Sequence, residues 1–143
     1  MRKHIKIGPK TFKYNRSFRI KINNSKIASS FLMLNNYEYG LKALEYGKIK
    51  KHHLELCIRL LRKLFKKTIF LKINISLLMP FSKKPLEMRM GKGKGQRDHW
   101  EYGVQKGLIF LEIGNLTKDE LMYALRLISE RLPFLTKTVK NIY

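Results

Sequence analysis

The apolar positions of this chain change period several times, and each change marks an element. Phe18, Ile20 and Ile22 alternate with Arg19 and Lys21, the two-residue period of a half-buried strand. Asn23-Asn24-Ser25 then breaks the run as a turn. Ile27 to Leu34 reads as a second strand, Asn35-Asn36 turns the chain, and Tyr37 to Leu44 resumes extended structure around Gly40. From Leu54 the period lengthens. Leu54, Cys57, Ile58, Leu61, Leu64 and Phe65 recur at three- and four-residue steps, so they share one helix face. Lys51, Glu55, Arg59, Arg62, Lys63, Lys66 and Lys67 fall largely elsewhere. The helix starts without Ser, Thr, Asp or Asn, which predicts a weak N-cap. Its basic last turn suits the negative end of the helix dipole.

Thr68 to Leu78 is rich in Ile, Phe and Leu and reads as a strand. Pro80 and Pro85 bracket a basic turn, Ser82-Lys83-Lys84, and Leu86, Met88 and Met90 alternate with Glu87 and Arg89 after it. Trp100 to Lys106 and Leu108 to Ile113 read as two strands with Gly107 between them. Thr117 and Glu120 have capping-box spacing, and Leu116 and Leu121 can staple around it. Leu121, Ala124, Leu125, Ile128 and Leu132 form the buried stripe of this second helix, which Pro133 ends. A short strand through Phe134 to Val139 closes the domain. Two helices among strands, without strict alternation, argue a single α+β domain. Residues 1–17 are basic, lack acidic groups and contain Gly8-Pro9, so they read as an extended arm ordered by a partner. The division is then an arm at 1–17 and a domain at 18–143.

Charge changes the picture from fold to partner. Lys plus Arg number 31 against 10 Asp plus Glu, a net +21. Such a surplus repels itself until a polyanion neutralises it. No acidic residue precedes Glu38, only Glu55 opposes the basic block from Lys48 to Lys72, and a third block runs from Lys83 to Arg97. The apolar fraction, 44%, is ordinary for a globular chain and excludes disorder throughout. A single cysteine, Cys57, excludes an internal disulfide. No apolar run approaches the length of a membrane span, and the basic amphipathic helix is no more apolar than a core requires, so a membrane partner is not expected.

The stretch Arg89-Met90-Gly91-Lys92-Gly93-Lys94-Gly95 is the most specific feature. Glycines alternate with lysines, which frees the backbone for positive φ and close approach to a surface. It is not a P-loop, which needs a Lys-Ser or Lys-Thr pair, and Gln96 takes the place of the last glycine of a dinucleotide fingerprint. Within so basic a chain it fits phosphate contact with RNA. The cations expected to meet RNA are Arg89, Lys92, Lys94 and Arg97, with Lys83 and Lys84 before the loop. Lys10, Lys13, Arg16 and Arg19 join them near the N-terminus, and Arg59, Arg62, Lys63 and Lys66 on the first helix.

Other chemistry is poorly supplied. His52, His53 and Cys57 lack the further ligands a structural zinc site needs, so no metal or cofactor is expected. Asp98-His99 resembles half a catalytic pair, but neighbours on a strand point to opposite faces and are not expected to bond. No nucleophile motif is present, and an enzyme is not expected. Tyr37, Tyr39, Tyr46, Trp100 and Tyr102 fit core or cross-strand places, with base stacking left to one or two of them at most.

Arg89 to Gly95, followed by His99-Trp100 and the strand from Gly107 to Glu112, resembles the bacterial-type ribosomal large-subunit protein L-sixteen family. Tyr39 to Glu45 with Gly47, Lys84-Pro85, Ala124-Leu125-Arg126, and Arg131-Leu132-Pro133 with Thr136-Lys137 extend the resemblance, in order, over residues 10–140. It implies a barrel-like, mostly antiparallel sheet with two helices. It implies a non-enzymatic constituent of the large ribosomal subunit that binds large-subunit rRNA and shapes the A-site tRNA region beside the peptidyl transferase centre. Partners would be that rRNA, the A-site tRNA and neighbouring large-subunit proteins. The tRNA-facing role falls on Arg89, Gly91, Lys92, Gly93, Lys94 and Gly95. The chain departs from the family at the start of its first helix, Ile49 to His53, and in an arm richer in Lys, Tyr and Asn than in Arg. Lys, Ile, Asn, Leu, Phe and Tyr are abundant throughout, as an AT-rich coding sequence gives. Together these point to a mitochondrial ribosome, with a plastid as second choice. A free-standing RNA-binding module or RNA chaperone is the alternative from another class.

Overall fold

The computed structural model describes residues 27–28, 32–66, 69–75, 79–91 and 93–141. The expected arm at 1–17, the strand at Phe18 to Ile22, and Lys10, Lys13, Arg16, Arg19 and Lys92 lie outside them. The described elements, in chain order, are β1 (Tyr39–Ala43), β2 (Gly47–Lys50), α1 (Lys51–Phe65), β3 (Phe70–Ile73), β4 (Met79–Lys83), β5 (Gln96–Val104), β6 (Ile109–Gly114), α2 (Lys118–Ser129) and β7 (Thr136–Lys140).

The α+β class stands, but among the described residues the sheet does not close into a barrel. The strands form two antiparallel sheets, ordered β3-β6-β1-β7 and β2-β5-β4. The reason is a single bent ribbon. β1 pairs with β6 from Tyr39↔Ile113 to Lys42↔Ile109, and β2 pairs with β5 from Gly47↔Val104 to Lys50↔Glu101. Between these ladders the Ala43 N–H donates to the Leu108 carbonyl at 2.9 Å, and the Gly107 N–H donates to the Ala43 carbonyl at 2.8 Å. The two long strands therefore stay paired while turning a corner from one sheet into the other. A register shift between Leu41 and Lys42 and the left-handed Gly107, φ +90°, supply the bend. The strands added outside the ribbon sit at opposite edges and do not pair, so no ring forms.

α1 and α2 follow their sequence periods. Leu54, Cys57, Ile58 and Leu61 are buried, while Leu64, expected inside, is 45% exposed near the end of α1. The α1 N-terminus has a partial substitute for the missing cap residue, because the Lys50 N–H donates to His53 Nδ1 at 3.3 Å. α2 begins as its spacing predicts. The Thr117 N–H and Oγ1 donate to Glu120 Oε2 at 3.0 and 2.8 Å. Those bonds hold the Glu120 carboxyl below its ordinary pKa. Leu121, Ala124, Leu125 and Ile128 are buried against the core, with Leu132 partly buried beside them.

Two local expectations change. Pro80 lies inside β4, opposite Trp100, and does not flank a turn. An edge strand accepts it because one side of its backbone owes no ladder hydrogen bond. The described part of Ile27 to Leu34 makes one isolated bridge, Ile27 to Lys106, rather than a strand. Leu86, Met88 and Met90, which alternate on the way into the glycine loop, lie exposed in a loop.

β6 is buried on both faces, and one of its residues is charged. Glu112 is fully buried. It accepts hydrogen bonds from the Asn36 N–H at 2.9 Å, the Tyr37 N–H at 3.3 Å and the Asn74 side-chain amide. Burial pushes its pKa up. The bonds from Asn74 and from the backbone of Asn36, Tyr37 and Asn35 outweigh burial, and the net shift is downward. The carboxylate thus ties the irregular segment before β1 to the centre of the larger sheet. Gly40 and Gly114 make room for that segment: a Cβ would lie 2.6 Å from Leu34 on the first and 2.9 Å from Tyr37 on the second.

Candidate nucleic-acid interface

β4 and β5 form an antiparallel hairpin whose last pair is Lys83↔Gln96. Lys84 to Gly95 is therefore its tip, presented on two paired strands. The segment from Lys83 to Arg97 carries Lys83, Lys84, Arg89, Lys92, Lys94 and Arg97 against Glu87 alone. Lys83, Arg89, Lys94 and Arg97 are exposed. Lys84 is half-buried, and its Nζ donates to the Gly91 carbonyl, so this cation holds the two limbs of the loop together.

The glycines do separate jobs. Gly91 and Gly93 have φ of +101° and +83°, and a Cβ on either would meet nothing within 4 Å. Their requirement is conformational. At Gly95 a Cβ would stand 2.5 Å from the Lys83 carbonyl oxygen and 2.8 Å from the Lys84 nitrogen. That glycine is needed to let the strands close beneath the tip.

The hairpin base contains a polar cluster that strand alternation does not predict. Phe81 pairs with His99 while Ser82 pairs with Arg97, so Asp98 is the extra residue of a bulge. Alternation fails there, and His99 Nδ1 lies 2.7 Å from Asp98 Oδ2, contrary to the expectation that the two would not bond. This bond holds the Asp98 carboxyl below its usual pKa; desolvation opposes it, and the charges of His99, Lys83 and Lys50 add smaller downward contributions. His99 also stacks on Phe81 at 4.9 Å between ring centres and places Nε2 3.8 Å from Glu101. Glu101 is buried and meets Lys48 Nζ at 3.6 Å. These contacts brace the root of the hairpin; none supplies a nucleophile.

A half-open groove of about 570 Å³ runs along the tip. Four cations, Lys83, Lys84, Lys94 and Arg97, and one acid, Asp98, line it together with Pro85, Leu86 and Met88. The Arg97 guanidinium lies over the Trp100 ring, 4.9 Å from its centre. Arg59, Arg62 and Lys63 are exposed at helical spacing on α1, with Lys66 exposed just past its end at φ +51°, on a different element that packs against β2 and β5. The expected cations thus divide into a hairpin group and a helix group, with the N-terminal group outside the described residues.

The aromatic residues take mostly structural places. Tyr39 is buried, Trp100 and Tyr102 pack against the core, and Tyr37 stacks with Phe70 at 6.1 Å. Cys57 sits in the core, where burial raises its thiol pKa to about 11. Burial, then the neighbouring His52 and Lys50, lowers the pKa of His53. Glu101 and Glu112 shape the site without belonging to any recognisable motif. A lone acid inside the apolar run Leu108 to Ile113 was the available signal, since a buried charge must find partners.

Residues 9–139 match the family described as Ribosomal protein L16p/L10e. Three relatives carry the name large ribosomal subunit protein uL16. The protein of Beijerinckia indica is 35% identical over 136 residues, covering 95% of this chain and 98% of its own. That of Protochlamydia amoebophila is 38% identical over 105 residues, covering 73% and 76%. That of Caulobacter vibrioides is 35% identical over 136 residues, covering 95% and 94%.

Proposed function

Because this chain belongs to the ribosomal protein L16p/L10e family, a structural and non-enzymatic one, we propose that it is a constituent of the large ribosomal subunit. In that setting it binds large-subunit rRNA and shapes the A-site tRNA region near the peptidyl transferase centre. The observation that carries this reading is the hairpin tip: exposed cations around left-handed glycines, inside a family match that spans the described domain. A net +21 chain gains stability when phosphates neutralise it, and exposed Lys and Arg supply that contact without directional chemistry.

The roles divide by element. Arg89, Gly91, Lys92, Gly93, Lys94 and Gly95 face the tRNA side, with Lys83, Lys84 and Arg97 at the hairpin base. Arg59, Arg62, Lys63 and Lys66 contact rRNA along α1. Lys10, Lys13, Arg16 and Arg19 extend the contact through and just beyond the N-terminal arm at 1–17. The compositional bias and the Lys-rich drift support a mitochondrial ribosome, and a plastid ribosome comes second. Cell fractionation with a tagged chain tests the compartment.

The functional test is charge reversal in assembled ribosomes. Lys92→Glu with Lys94→Glu is expected to slow accommodation of aminoacyl-tRNA while large subunits still form. Accommodation at the wild-type rate in such ribosomes would remove the tRNA-facing role.

A further inference from the structure

We propose that the groove on the hairpin tip holds one unpaired nucleotide of RNA, its base on Leu86 and Met88 and its phosphate on Lys94 and Arg97. This rests on the RNA-binding reading above and adds the form of RNA recognised. Leu86 is 96% exposed and Met88 53% exposed, and beyond them Met90 is 100% exposed. Among the described residues, these three large apolar side chains within five residues on a cationic tip pack into no core. Solvated phosphate contact alone does not call for them.

The placement gives the ligand chemistry. Leu86 and Met88 line the same groove of about 570 Å³ as Lys83, Lys84, Lys94 and Arg97, four cations that outnumber the one acid there, Asp98. A flat apolar body covalently joined to an anion fits such a mixed lining, and an unpaired nucleotide is that object. A duplex offers phosphates but keeps its base faces stacked inside. The turn that carries Leu86 is fixed by the Met88 N–H, which donates to the Pro85 carbonyl at 3.2 Å. The tie from Lys84 to Gly91 joins the opposite limb. The backbone that carries the apolar wall is thus tied at two points.

The experiment uses the full chain and two strands with the same phosphates: a short oligouridylate and an abasic ribose-phosphate strand of equal length. Affinities are measured across a salt series. Wild type is expected to prefer the base-bearing strand by about fivefold, the low end of the scale for one base on an aromatic ring, since Leu86 and Met88 offer no ring. Leu86→Ser with Met88→Ser should abolish that preference and leave the salt slope unchanged, because no phosphate contact is lost. Lys94→Gln with Arg97→Gln should weaken both strands and reduce the slope. Leu86→Phe should keep or raise the preference, since a ring offers a larger stacking face. These side chains are solvent-facing, and equal thermal melting of the variants checks that folding is untouched. An unchanged preference in the double serine variant overturns the nucleotide site, as does equal affinity of wild type for both strands. Weak, salt-insensitive binding of wild type to either strand would instead overturn the RNA-binding reading itself.

Discussion

Replacing Glu112 by Gln isolates the charge that holds the segment before β1 onto the larger sheet. The side chain is fully buried, and its carboxylate accepts from the Asn36 N–H at 2.9 Å, the Tyr37 N–H at 3.3 Å and the Asn74 amide. A hydrogen bond to a charged acceptor contributes about 1.5–3 kcal/mol, and a neutral one about 1 kcal/mol. The Tyr37 bond is long, so the two shorter bonds carry most of the difference. Glutamine also sets an N–H₂ where one oxygen accepted, donor against donor. The expected loss is about 2–4 kcal/mol at neutral pH, a large part of the roughly 5–15 kcal/mol that holds an ordinary domain together.

The pH dependence gives a second, sharper readout. The folded pKa of Glu112 lies below its ordinary value. Its contribution is therefore present above the unfolded pKa of about 4.3 and is lost as pH falls through the folded value. Urea unfolding can be followed by the fluorescence of Trp100, the sole tryptophan. The gap between wild type and Glu112→Gln should be widest above pH 5 and should narrow in acid. Asp98 and Glu120 also titrate below their ordinary range, but they do so in both proteins and cancel in the difference. A gap that stays constant down to pH 3, or one below about 0.5 kcal/mol at pH 7, would refute the role given to the buried charge.

Further outcomes follow from single contacts. Gly95→Ala drives a Cβ to 2.5 Å from the Lys83 carbonyl oxygen, and overpacking of this kind costs about 1–3 kcal/mol. Amide exchange near the Lys83↔Gln96 pair should accelerate, and unchanged protection there would contradict the closure argument. Gly91→Ala meets no atom within 4 Å and strains only φ, so its effect should stay in the loop at about 1–2 kcal/mol and leave β4 and β5 protected. Cys57 is buried with its thiol pKa raised to about 11, so a thiol reagent at pH 8 should label it only as fast as the domain opens. Immediate labelling under native conditions would place α1 differently.

Much of the molecule is written in its periods. The three- and four-residue steps of Leu54 to Leu61 and of Leu121 to Ile128 define the buried faces of α1 and α2, and Thr117 with Glu120 sets where α2 begins. Local spacing suffices there because helix contacts are near in sequence. The cationic, glycine-spaced tip is legible for the same reason: charge and backbone freedom belong to the residues themselves. Tertiary structure decided what depends on distant pairing. It sends β1 and β6 around a corner into β2 and β5, so the sheets stay open, because a bend shared by two strands has no signature in either strand alone. It turns Asp98 toward His99 through a bulge whose register lies in the partner strand, and it gives Glu112 donors 38 to 76 residues away along the chain. It also leaves Leu86 and Met90 in solvent, which their alternation with Glu87 and Arg89 does not reveal. Periodicity records which side chains avoid water, but only the folded chain determines which surfaces are available to bury them.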